Sequence, residues 1–429
     1  MATSIKAEAT APQTAVQKIL ARASRMASVA VGEVVFPDPE LVIVHDGYVE
    51  TVHDELSALG YKGLRNPERV IFVTDHEVAY TTQRAVQRGR NIRKIAKAWK
   101  IGQLYDVGRG GHGHIFPMEN GMVRPGMFLF AYDMHCSNFG AVGALAIGVG
   151  AEVSSVLATG SLWTVVPETV RVELKGTLPD GAHPRDVGFL LCGGFTEKKW
   201  GVDHDNRIIE FCGDGLDRLG LSARVALCNS LTELGAANIL FGSPPPGIDS
   251  SAAPDFISDS NASYAGRITL DLSIMTPQVA LPGGPDRAAD IGSVVGRHID
   301  HAFIGACGSS MYEDFAEAAR FIKGRRVADN VRFFVGPGTN EVARRLANDG
   351  ITQLFTDAGA LILPPGCGPC AGGIMAPLGP GEVSISTAAT NHSGRFGAAD
   401  GQCYLASPLT VAASAVAGCM TDPRKPLAH

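Results

Sequence analysis

Three short runs, Leu41-Val-Ile-Val-His45, Val70-Ile-Phe-Val-Thr74 and Met127-Phe-Leu-Phe-Ala131, are apolar at nearly every position rather than at every second one. A strand wetted on one face alternates, whereas a continuous apolar run of this length suits a strand covered on both faces, as in parallel sheets flanked by helices. Amphipathic stretches lie between such runs: Val16–Met26 has a helical period, Ala79–Trp99 reads as a basic helix with a solvated face, and Tyr312–Lys323 and a segment from Asn340 read as helices around a strand at Val331–Val335. Gly140–Val149, rich in small residues, reads as a helix against which a ligand can lie close. The chain is therefore expected to be α/β, and its 51 glycines and 25 prolines supply the many tight connections that such folds need.

With 429 residues, 45% of them hydrophobic, the chain can bury two or three cores. A flexible tail is expected over 1–15, then α/β units over 16–195, 196–287 and 288–429, with the Pro- and Ser-rich Ser243–Ser251 and the polar loop to Ser263 separating the middle unit from the last. The net charge of −6 offers no basic surface for nucleic acid. No apolar run approaches the roughly 20 residues of a membrane helix, so a soluble protein is expected. Nine cysteines without a secretory signal point to a reducing compartment, taken as the cytoplasm, with an organellar matrix as the alternative because Lys18, Arg22 and Arg25 hint at a presequence.

Three of those cysteines carry a pattern. Cys307 stands in Ile304-Gly-Ala-Cys307-Gly-Ser309, and Cys367 and Cys370 form the pair in Pro365-Gly-Cys367-Gly-Pro-Cys370. Glycine and proline around the pair bend the backbone so that both sulfurs aim at one point. Electron-transfer clusters take four cysteines and structural zinc sites take four Cys or His ligands, whereas three thiolates on an iron–sulfur cluster leave one iron open. Zinc, a redox pair or inert buried thiols remain readings of the local pattern.

The histidines sit beside carboxylates. Asp75-His76 closes an apolar run, where catalytic groups of α/β folds gather, and an adjacent Asp can orient the ring and hold its proton. Asp133-Met-His135 follows another such run, and His112 and His114 are likewise two apart, so each pair can face one ligand. A surface loop pair accounts for the first equally well, and a single ion held by His112 and His114 for the last. Glu210, within Ile208-Ile-Glu-Phe211, is costly unless paired, or else faces solvent from an edge strand. Arg395 offers a planar bidentate donor suited to a carboxylate, or is a surface loop arginine.

The order of these motifs from about Val16 to about Pro423 resembles the aconitase family, in particular the large subunits of 3-isopropylmalate dehydratase and homoaconitase. The stretches carrying it include Asp75-His76-Glu, Gly111-His-Gly-His114-Ile, Arg124-Pro-Gly-Met127, Asp133-Met-His135, Gly140-Ala-Val-Gly, Val156-Leu-Ala-Thr-Gly160, Asp271-Leu-Ser273, Ile299-to-Cys307, the Cys367 pair, Ser386-Thr387, Gly394-Arg395 and Ser407-Pro408.

The resemblance implies three α/β/α domains around a cleft and a [4Fe-4S] cluster with one open iron on Cys307, Cys367 and Cys370. It further implies a hydro-lyase acting on a hydroxy di- or tricarboxylate such as isopropylmalate or a related malate derivative. Asp75, His76, His114, Asp133, His135 and Glu210 would be catalytic, and Arg395, Asn391 and Ser309 would bind substrate. Leu405–Val416 matches the close of a large subunit, so a separate small swivel-domain subunit is expected to bring the catalytic base, and this chain alone is expected to be inactive.

The chain departs from the family pattern at three places. Cys307-Gly-Ser309 stands for Cys-Thr-Asn, Asp133-Met-His135 for Asp-Ser-His, and Ala389-Thr-Asn391-His-Ser-Gly-Arg395 has lost one of two arginines, at Thr390. A different or smaller acid is the expected consequence, since one carboxylate partner is gone. A cluster-free relative binding a ligand or partner in the same cleft is the alternative from another class, and a mononuclear iron or zinc hydrolase is a third.

Overall fold

The computed structural model describes residues 11–248, 251 and 255–426. Its first sheet has the order 103–105, 70–73, 41–45, 128–131, 145–148, with every pairing parallel. Val70–Val73 and Phe128–Ala131 are buried at each position, which is why their sequences do not alternate. The chain steps outward from Leu41–His45 to 70–73 and 103–105, then returns to the opposite side for 128–131 and 145–148. The order therefore reverses at Leu41–His45, and ligands of open parallel sheets bind beyond the carboxyl ends of strands at such a reversal.

A second parallel sheet has the order 238–241, 208–212, 169–175, 266–271. A third has the order 288–290, 278–280, 402–405, 383–386, 301–304, 332–335, 361–362, parallel from 402–405 onward and antiparallel at the other edge. Its order reverses between His301–Ile304 and Val383–Ser386. One apolar core joins the first and second sheets through Ile43, Leu129, Val172 and Phe211, and another fills the third unit around Phe315, Phe333 and Val411.

Three expectations are corrected. Gly140–Val149 is not a helix: a 3-10 segment runs Met134–Val142 and a strand follows at Leu145–Gly148, because the Gly140 backbone lies against Ile239 too closely for any side chain. The units also divide elsewhere. Thr169–Lys175 belongs to the second sheet, so a boundary at 195 would cut the helix Pro184–Thr196, and the third sheet begins at Gln278. The polar loop to Ser263 is no linker between units, because the chain beyond it returns as Gly266–Asp271 to pair with Thr169–Lys175. Of the expected tail, residues 1–10 lie outside the described residues. Gln13 and Thr14 are buried, and Thr14 caps the helix Ala15–Ala23 in a reciprocal pair with Gln17.

Candidate active site

The two reversal points face one cavity. The first sheet delivers His45 and Asp46 at the end of Leu41–His45, Asp75 and His76 just past Val70–Val73, and Asp133 and His135 just past Phe128–Ala131. The third sheet delivers Cys307 three residues past Ile304, the Cys367–Cys370 turn after Leu361–Ile362, and Ala389 after Val383–Ser386. His76, His112, His114, Asp133, His135, Cys307, Cys367, Cys370 and Arg395 all line it, with Ala371 and Ala389. The seam is tight. Gly366 packs its Cα against the Asp75 carbonyl, which also accepts from Cys367 N–H at 2.9 Å, and Gly111 packs in the same way against Gly338 and Thr339. Both glycines have positive φ, 154° and 122°, that other residues rarely adopt.

Asp75 is the hub. It is fully buried and accepts from His45 Nδ1 at 2.9 Å and from Gly113 N–H at 2.8 Å, with His76 Nδ1 3.0 Å away and His112 Nδ1 at 3.5 Å. Burial opposes its ionisation, but the fields and hydrogen bonds of His45 and His76 outweigh burial and hold the carboxyl well below its usual range. Burial likewise opposes charge on His76, yet Asp75 and Asp46, the latter 2.7 Å from Nδ1, hold this ring well above the usual histidine value. His135 repeats the arrangement with Asp133 at 2.7 Å, and it too is held well above the usual value despite burial.

His112 and His114 go the other way. Burial pushes His112 down to about 4 and His114 well below the ordinary value, so both are neutral rings. His112 contacts Cys367 Sγ at 3.1 Å through Nε2, while neither nitrogen of His114 has a hydrogen-bond partner. The structure thus offers charged, proton-holding rings and neutral rings in one cavity.

The three cysteines are free thiols, 4%, 6% and 5% exposed. Burial pushes Cys307 up to about 11 and Cys367 well above the ordinary thiol range, and the other sulfurs and Asp75 or Asp133 add to it. Three mutually repelling buried thiolates are stable only against a cation that binds sulfur, and this donor set fits an iron–sulfur cluster.

Three expected residues are not brought to this cavity. Glu210 lies inside Ile208–Cys212 of the second sheet, 2% exposed, accepting from Ser258 Oγ at 2.8 Å and Tyr264 OH at 3.1 Å, with its pKa raised by burial. Asn391 spends its amide on the carbonyls of Leu281 at 2.8 Å and Cys403 at 3.0 Å, so it ties a loop to strands. Ser309 is buried and its hydroxyl donates to Gly308 O.

Glu233, which no sequence motif singled out, stands where Glu210 was expected, with Oε1 at 3.3 Å from His135 Nε2 and Oε2 at 3.8 Å from His392 Nε2. It follows the polar Asn229-Ser230 of the helix Leu221–Leu231 by one turn. His45-Asp46 ends an apolar strand as Asp75-His76 does, so the strand-end rule applied once more finds it.

The model of the Aconitase family (aconitate hydratase) matches residues 17–243 and 293–418. The 3-isopropylmalate dehydratase large subunit 1 of Methanopyrus kandleri is 37% identical over 423 residues, covering 96% of this chain and 99% of that protein. A probable methanogen homoaconitase large subunit of Methanothermobacter thermautotrophicus is 36% identical over 421 residues, 95% and 97% of the two chains. The crystal structure of Thermococcus kodakaraensis aconitase X in its holo-form superposes with a TM-score of 0.51 at 14% identity, covering 87% of this chain and 89% of that one. The chain belongs to the aconitase family. Its enzyme class is hydro-lyase. No helix among the described residues is long and apolar enough to cross a membrane.

Proposed function

We propose that this chain is the large subunit of a dehydratase for a hydroxy-dicarboxylate, holding a [4Fe-4S] cluster on Cys307, Cys367 and Cys370. The observation that carries the reading is the convergence of three buried free thiols, two Asp-His pairs and Arg395 on one cavity. When bound, a cluster with three protein ligands supplies a Lewis-acidic iron for the leaving hydroxyl.

The chain's own residues handle protons and orientation. His76, with Nδ1 turned to Asp46 and Asp75, keeps a proton on Nε2 for the departing hydroxyl, and His135, oriented by Asp133 and flanked by Glu233, is placed for the same work. Arg395 lines the cavity with its Nε unpartnered, ready for a substrate carboxylate. Thr390 is buried with its hydroxyl unpartnered, so this wall offers one guanidinium where the family pattern has two, which favours a dicarboxylate smaller than a tricarboxylic acid. The relatives' names as large subunits support a separate small subunit carrying the base for the carbon-bound proton.

A single ion on His112, His114 and Cys307, whose ligand atoms lie within 4.8 Å of one another, is the second reading. Anaerobic purification with iron and sulfide quantification and EPR tests both, on wild type and on Cys307→Ser, Cys367→Ser and Cys370→Ser. A four-iron cluster lost in each variant supports the proposal. One metal per chain without sulfide moves the function to the mononuclear reading, and no metal after reconstitution ends both.

A further inference from the structure

Arg185, with Arg224, is one of the two largest fully buried side chains among the described residues and a charged one, with 0% exposure. It lies in the first turn of the helix Pro184–Thr196, beneath the cysteine cavity rather than in it. Its Nη2 donates to the Ala388 carbonyl at 2.8 Å, its guanidinium sits 5.1 Å from the Phe189 ring, and Nε and Nη1 have no hydrogen-bond partner. A buried cation left with two unsatisfied donors is expensive, and burial pushes this guanidinium down to about 10 although Asp314, Cys307, Asp186 and Cys370 all favour its charge.

What surrounds it explains its retention. Nη1 and the Asn229 Oδ1 both press on the point where a side chain at position 308 would begin, so Gly308, next to Cys307, is the residue that admits them. Asn229 Nδ2 in turn donates to Cys307 Sγ at 3.2 Å, while its Oδ1, on the arginine's side, is unpartnered. The guanidinium and the thiolates that a loaded site would hold are thus buried in the same apolar cluster, which contains Phe189, Cys307 and Cys370.

We propose that Arg185 is a positioning residue for the cysteine site: it places a buried positive charge behind Cys307, through Asn229, to balance thiolate charge and set the electronics of the group they hold. The inference rests on the cluster reading above. Net charge and hydrogen bonds to sulfur set the reduction potential of such groups, and a nearby cation favours the more negative, reduced form.

The test is Arg185→Met and Arg185→Lys in the anaerobically loaded chain, read by potentiometric EPR titration and by the rate of iron loss to a chelator. Arg185→Met is expected to shift the reduction equilibrium toward the oxidised form by a factor of about ten, about 59 mV for one electron, and to speed iron loss. The same variant in the unloaded chain also loses the Ala388 hydrogen bond and the attraction of the buried Asp314 and Asp186, so its melting temperature is measured as the control against which iron loss is read. Arg185→Lys, which keeps the charge and is the conservative control for folding, is expected to fall between. Equal potentials and iron-loss rates in wild type and both variants overturn the proposal, as does an unloaded Arg185→Met chain destabilised in step with its iron loss, which marks a purely structural arginine. Wild type that takes up no iron or sulfide removes this proposal together with the cluster reading, whereas with a wild type that loads normally the outcome bears on Arg185 alone.

Discussion

Asp75 and Glu210 are both buried carboxylates, 0% and 2% exposed, in or just past strands of parallel sheets. Asp75 is held by ionisable rings that continue into a cavity lined by thiols, and its charge is favoured. Glu210 is held by two hydroxyls, Ser258 Oγ in turn accepting from Ala15 N–H at 2.7 Å, away from the thiol-lined cavity, and its charge is disfavoured. Burial of an acid therefore does not decide how it is used. The identity of its partners does, because only titratable partners at a cavity can move a proton to a ligand.

The largest expected effect is on the cavity side. Asp75→Asn should lower turnover by about 10²–10⁴-fold, the range of a lost acid–base function, while the loaded chain keeps its iron. A steady-state assay with the small subunit and the acid substrate checks it, and a loss below tenfold would erase the contrast with Glu210.

His301 sharpens the contrast from another direction, as a buried histidine without a carboxylate within ion-pair reach. It meets Ser384 Oγ at 2.8 Å and the Ala376 carbonyl at 3.2 Å, and burial pushes it down to about 3. Its folded value lies below the unfolded value of 6.5, so the unfolded chain takes the proton first, and stability is complete above pH 6.5 and lost as pH falls toward 3. Denaturation against pH should show His301→Gln lacking the acid-side loss of about 5 kcal/mol that this shift contributes.

Asn391→Ala is expected to cost about 1–3 kcal/mol of stability by leaving buried carbonyls unpaired, with KM unchanged. A rise in KM at constant stability would return Asn391 to the substrate. The smallest effect belongs to Glu210→Gln, whose turnover should stay within about threefold of wild type. The folded pKa of Glu210 lies above the unfolded 4.5, so its presence makes wild-type stability fall as pH rises through that window, and the variant should lack the fall.

Legibility in the sequence divides along the same line. The fully buried strands announce themselves because both faces must be apolar, and Asp75-His76, Asp133-His135 and the cysteines stand at strand ends, where chain position and cavity coincide. Glu210 and Glu233 could not be told apart, because an acid gives no sign of which residues about 50 to 100 positions away will meet it. Ser258 and Tyr264 reach Glu210 from a stretch that reads as a polar linker, and His135 reaches Glu233 across sheets. The 3-10 turn at Met134–Val142 was hidden for the same reason, since its geometry answers to the Ile239 backbone rather than to its own small residues.

The glycine seam makes the cavity a gauge of the spacing between two sheets. A methyl group added at Gly111 or Gly366 would press on backbone across the seam, at 2.5 Å from Gly338 O or 2.6 Å from Asp75 O, where nothing can swing aside. Its damage would be registered at a distance: the turn itself would survive, while His112 and Cys367, contributed from opposite sides, would lose their 3.1 Å contact. On the proposed reading, metal capacity would thus be a property of docking, and it should fade on gentle warming before either half melts.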